Sequence, residues 1–161
     1  MPRRSLSFLA FSLLALAACN PFHVGQAVQV SARDVNLNTR WHGNIASPAA
    51  LAGVVQMTGE ATMAPGSSEG NTTVTLSVAN ATPGGRHPWE LHRGQCGDDQ
   101  GVFGPSSAYK AIEIGGDGKA TASARVPLET PTSGSYFVSV QASAANGETT
   151  VACGNLAPPT L

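Results

Sequence analysis

Charge is what this 161-residue chain has least of: Asp, Glu, Lys and Arg together make up 12% of it, and the formal net charge is −1. No run or stripe of Lys and Arg occurs, so there is no electrostatic footprint for nucleic acid. Aromatic residues are only 6% of the chain, there are four histidines, and cysteine is limited to three. No 3.6-residue apolar period persists, which excludes a helical bundle. No internal repeat occurs, which excludes a solenoid. Apolar runs long enough to cross a membrane are also missing, because the longest one stops at Leu16. In place of these the chain has 18 glycines and 11 prolines. They punctuate short stretches of alternating small apolar and hydroxyl residues.

That alternation begins at Val54. Gly59, Ala61 and Met63 alternate with Glu60 and Thr62, and the stretch 65–71 is a loop. Val74, Leu76 and Val78 then alternate with Thr73, Thr75 and Ser77. After the turn at 81–85 comes a stretch containing Pro88, where the missing backbone donor demands an edge or an irregularity. Residues 94–108 read as a loop and Tyr109 to Ile114 as a strand. Gly115-Gly116-Asp117-Gly118 is a hairpin signal. Ala120, Ala122, Ala124 and Val126 share one face of the next strand. Tyr136, Val138 and Val140 alternate with Phe137, Ser139 and Gln141, and a last strand runs to Cys153. Short strands with Gly and Pro turns specify an all-β sandwich or small barrel. Residues 20–53 are richer in turn formers. They read as a tether with some strand content, a weak strand over 26–32 included, or else as an extra strand added to the sheet.

The N-terminus reads as a targeting segment. Arg3 and Arg4 precede the apolar run from Leu6 to Leu16, which ends in Leu16-Ala17-Ala18-Cys19. This order resembles the bacterial lipobox, in which a peptidase cuts before a cysteine that then carries lipid. The competing reading is an ordinary signal peptide cut near Ala18. The resemblance implies a mature protein lipid-anchored through Cys19, with the membrane as its first partner. Asn20, in place of an Asp after that cysteine, favours the outer membrane, facing the periplasm. Cys96 and Cys153 are then the two remaining cysteines in an oxidising compartment, and most simply form one disulfide.

Candidate chemistry concentrates in the stretch 84–96. At strand period, His87, Trp89 and Leu91 lie on one side, mostly apolar and core-like. Arg86, Pro88, Glu90 and His92 lie on the other. Glu90 and His92 are two residues apart on that face, roughly 7 Å between Cα atoms. This is ligand spacing on a sheet, and equally the pattern of a solvated face. Asp98 and Asp99 follow in a glycine-rich loop, where paired acids can hold a cation or simply be solvated. His23 and His42 lie in the looser N-terminal part.

Residues 54–156 resemble the copper/zinc superoxide dismutase family. The stretch from Asn80 to His92 is similar to its histidine-bearing strand, Gly94-Gln95-Cys96 to its first cysteine motif, and Asn146-Gly147 with Val151-Ala152-Cys153-Gly154 to its second. The resemblance implies a Greek-key β-barrel and places Cys96 and Cys153 at that family's intrasubunit disulfide. The organisation that follows is a signal peptide at 1–18, a partly ordered lipidated tether at 19–53, the barrel domain at 54–156 and a tail at 157–161.

The metal ligands of that family are mostly replaced. Of four copper histidines, only His92 has its counterpart. Glu90 stands at one position, Gln141 at another, and the segment around Phe103 has none. The zinc-ligand loop is short and empty, and Thr150 replaces the arginine that guides the anion. Glu90, His92 and Gln141, with His87 as a further candidate, make a weak, hard set for a divalent ion and a poor one for redox copper. The expected function is therefore a non-catalytic, lipid-anchored binding module for an envelope partner or loosely for metal. The alternatives are a divergent copper-dependent dismutase using His92 with His87, His23 or His42, and a purely structural envelope lipoprotein. No cofactor is expected to be tightly held, and no nucleic-acid partner.

Intact-mass analysis of the membrane-extracted protein should find Cys19 as a lipid-modified N-terminal residue. An unmodified Cys19, or cleavage elsewhere, would reject the lipobox reading.

Overall fold

The computed structural model describes residues 40–51 and 53–160, which form ten strands. They are β1 (Trp41–Ala46), β2 (Thr58–Pro65), β3 (Thr72–Ala79), β4 (Arg86–His87), β5 (Trp89–Gln95), β6 (Asp98–Val102), β7 (Ile112–Glu113), β8 (Ala120–Val126), β9 (Tyr136–Ser143) and β10 (Asn146–Leu156). Eight of them make one antiparallel sheet in the order β6-β5-β9-β10-β1-β2-β3-β8, and β4 pairs with β7 in a small second sheet. The large sheet curls into a half-barrel. Strand β4 runs on into β5 across Pro88, and β7 packs beside β8. The β4–β7 pair thus bridges the open side between the two ends of the large sheet.

Alternation explains most of the core. Ala61 and Met63 of β2, Val74, Leu76 and Val78 of β3, and Ala124 and Val126 of β8 are all buried. The β2–β3 ladder is regular from Thr58 opposite Ala79 to Pro65 opposite Thr72. Trp41 and Trp89 are each 1% exposed, and both indole N–H groups find partners, donating to the Pro131 and Lys110 carbonyls at 2.8 Å. Burying an indole with its donor satisfied is the condition under which tryptophan is a core residue. Tyr136 packs edge-on against Trp41, and Tyr109 against Trp89.

Three boundaries differ from the sequence reading. The sheet begins at Trp41 and not at Val54, in line with the alternative of an extra strand from 20–53: β1 is a central strand between β10 and β2. Its apolar side chains, Trp41 and Ile45, are separated by Gly43, so only two positions report the period. A Cβ on Gly43 would collide with the Asn155 carbonyl, and one on Gly154 with that of Asn44. The β1–β10 seam therefore requires glycine on both strands. The second difference is β6, which lies inside the stretch read as a loop. It is an exposed edge strand, DDQGV, and carries none of the usual strand signal apart from Val102. The third is that Tyr109 to Ile114 is strand only at Ile112–Glu113, and the Gly115–Gly118 turn leads from the small sheet to the large one. The weak strand expected over 26–32, Cys19 and His23 lie outside the described residues. The irregularity expected at Pro88 is present as the break between β4 and β5.

Cys96 and Cys153 are disulfide-bonded, with Cα atoms 6.0 Å apart across 57 residues of chain. The bond ties the β5–β6 turn to β10, and the Cys96 N–H also donates to Asn155 Oδ1 at 2.8 Å. Closing a loop of this length is worth about 4 kcal/mol by chain entropy. Cys96→Ser should lower unfolding free energy by roughly 2–5 kcal/mol. A urea midpoint equal to that of the wild type would show that the cross-link contributes nothing.

Candidate functional site

The site is built by register. In the β5–β9 ladder Glu90 lies opposite Ser139 and His92 opposite Phe137. In the next ladder Gln141 lies opposite Thr150, and Ser139 opposite Cys153. With a period of two, Val138 and Val140 point into the core while Phe137, Ser139 and Gln141 share the outer face with Glu90 and His92. Residues 150 and 153 would normally face opposite sides. The register shift between Thr150 and Ala152 inserts one extra residue, so both end on the outer face, as a β-bulge does. The result is an open cleft of about 670 Å³ whose lining includes Glu90, His92, Gln141, Ser139 and Glu148.

His92 is fixed on three sides. Its ring stacks on Phe137, centroids 5.0 Å apart at 24°. Its Nδ1 is 2.9 Å from Asp99 Oδ1, and its Nε2 is 3.6 Å from Glu90 Oε2, too long for a hydrogen bond. Asp99 Oδ1 also accepts the Gly101 N–H at 2.7 Å. Burial acts to raise the Asp99 carboxyl, but the Gly101 N–H and the His92 imidazole outweigh it and hold it below its ordinary value. An ionised carboxylate only accepts, so His92 Nδ1 carries the hydrogen, while Nε2 is buried on the Glu90 side of the ring and is an acceptor in the neutral tautomer. Gln141 donates from Nε2 to Ser139 Oγ at 2.9 Å, leaving Oε1 without a partner. His92 and Gln141 are 7% and 8% exposed, and their Nε2 and Oε1 atoms have no hydrogen-bond partner. Behind the strand, burial first and the Glu90 charge second push the Tyr109 phenol far up, so it stays a neutral donor to the Phe103 carbonyl at 2.7 Å.

Of the sequence candidates, Glu90, His92 and Gln141 come together. His87 does not join them. Its Nδ1 lies 3.0 Å from the Gln141 backbone oxygen and its ring lines a separate cavity with Met57 and Val151. The inward parity of position 87 is the cause. His42 is exposed on β1, and Asp98 is exposed opposite Gln95. Arg86 is engaged with Glu113 at 3.3 Å, and the Arg93 guanidinium lies over the Phe103 ring at 5.4 Å, so neither contributes charge to the cleft. Asp99 was visible in the sequence only as half of an acidic pair. Its selection over Asp98 follows from the β5–β6 hairpin.

Among the described residues no group of three or more His, Cys, Asp and Glu is placed to hold a metal. The fit to a redox copper fails on chemistry: among the described residues one imidazole lines the cleft, with carboxylates and a neutral amide oxygen. Copper cycling needs a set rich in imidazole. Compared with protein-family profiles and with curated protein sequences, the chain matches none.

Acidification tests the Asp99 contact. A carboxyl held below its unfolded value of 3.8 stabilises the fold above that pH, and the stabilisation is lost as pH falls through the folded value. Asp99→Asn should therefore be less stable than wild type at about pH 6, with the difference shrinking near about pH 2. A gap in urea midpoint that does not change with pH would mean the Asp99 charge plays no part.

Proposed function

We propose that this chain is a lipid-anchored envelope protein, held through Cys19 at the outer membrane and facing the periplasm. Its β domain is a Greek-key barrel of the copper/zinc superoxide dismutase type that binds a ligand and has lost dismutase catalysis. The strand order supports the barrel reading. Strands β1, β2 and β3 form a meander and the last strand, β10, lies beside β1, an order consistent with a Greek key closed by a long connection. The Cys96–Cys153 bond supports it as well.

One observation carries the binding role. Among the described residues His92 Nε2 and Gln141 Oε1 are buried polar atoms without partners, both on residues that line one open cleft, and Nε2 is an acceptor in the neutral ring. Each such atom costs about 1–3 kcal/mol when left unsatisfied. A ligand that donates to both atoms offsets that cost, and this supports a binding role over a purely structural one. The divergent-dismutase alternative is disfavoured by the donor set and by Thr150, which brings no positive charge to the cleft.

The test is a superoxide assay with copper added. The wild type should show no rate above a free-copper control. Glu90→His with Gln141→His should tighten copper binding, because it places three imidazoles on one face. Copper-loaded wild type dismuting superoxide well above free copper, with the rate lost in His92→Ala, would overturn the proposal.

A further inference from the structure

The charged groups lining the cleft are all acidic, and the rest of its wall includes apolar residues such as Phe137 and Pro48. Glu90, Asp99 and Glu148 are among its lining residues, and among the described residues no Lys or Arg is. Arg86 of β4 and Arg93 of β5, the basic residues next to Glu90 and His92 in sequence, are held elsewhere. Glu90 Oε2 and His92 Nε2 are 3.6 Å apart, close enough for one donor head to bridge them. Gln141 Oε1 adds an acceptor on the same outer face of the adjacent strand. An anion would meet three carboxylates here. A neutral hydroxyl would leave acceptors unpaired. An ammonium group carries three donors and one positive charge, which matches three acceptors and the local charge together.

We infer that this cleft binds an organic ammonium group, held by Glu90, His92 Nε2 and Gln141 Oε1, with its alkyl stem lying in the rest of the cleft. The inference rests on the reading of the cleft as a binding site and names the chemistry of its ligand. Two sources present that chemistry, a free polyamine and a lysine side chain of an envelope protein.

The experiment is an NMR titration of the full-length protein carrying ¹⁵N-labelled histidine. The probes are n-butylammonium, the neutral isostere 1-butanol, the anion butyrate, and Zn²⁺. Butylammonium should shift the His92 Nε2 resonance saturably, and butanol and butyrate should not. Glu90→Gln should weaken butylammonium at least about tenfold through loss of one charge-assisted contact. Gln141→Leu should weaken it less, and Glu113→Gln, in an exposed ion pair on the small sheet, should leave it unchanged. Spermidine and Nα-acetyl-lysine methylamide then separate the sources. Tighter binding of spermidine points to a free polyamine, and tighter binding of the lysine derivative to a protein partner. Equal binding of butanol or butyrate at His92 would overturn the cation while leaving a binding site. A response to Zn²⁺ with all amines silent would do the same in favour of a metal. No shift of His92 with any probe would remove both the ammonium inference and the binding role. These outcomes are read on the wild type, so they stand even where a variant fails to fold.

Discussion

Everything at the cleft hangs on the antiparallel register that sets His92 opposite Phe137. A slip of one residue along β9 would send Phe137, Ser139 and Gln141 inward and expose Val138 and Val140. The core forbids that slip, since Val138 and Val140 are fully buried against the other strands. The polar face is thus held in place by the apolar one. The disulfide adds a second lock, because it fixes the β5–β6 turn against β10 and so limits how far Asp99 and Glu90 can move apart from Gln141 and Thr150.

Within that frame the polar groups divide into satisfied and unsatisfied. Asp99 is satisfied twice, by Gly101 and by His92, and its role is to orient the imidazole. Ser139 plays the same part for Gln141. Each orienting contact uses one end of a side chain and leaves the other end facing the cleft. The same two-ended arrangement places ligating histidines in metal sites, where the second nitrogen is hydrogen-bonded to a carboxylate. Here the free ends belong to a mixed set of imidazole, carboxylate and amide, which favours a donor-bearing cation over a redox metal.

Much of this was legible in the sequence where side chains report the period. Val74, Leu76 and Val78 declared β3, and the alternation of 136–141 separated core from surface on β9 before any coordinates. Positions 90, 92 and 141 were grouped through a family resemblance, and strand parity alone put Glu90 with His92. The failures share a cause. Strand β1 keeps its period through Gly43, a position with no side chain, because the backbone of β10 occupies that space. Strand β6 is an edge of acids, Gln and Gly, stabilised by its ladder to β5 and not by burial. Asp99 was ambiguous because its partner is chosen by a hairpin bulge, which composition does not encode. Glu148 was missed for a similar reason: β10 is irregular between Asn146 and Thr150, so parity counting breaks down there.

The doubly buried character of β9 has a further consequence. From Phe137 to Gln141 every residue is buried, yet alternate residues serve different ends. Val138 and Val140 contribute apolar burial worth about 1.5–3 kcal/mol each. Gln141 and, across the ladder, His92 instead carry the cost of acceptors withheld from water. The apolar core and the polar lining of the cleft therefore lie on opposite faces of one strand, and substitutions on one face can leave the other in place. A change of side chain at position 90 or 141 leaves untouched the inward residues that specify the fold.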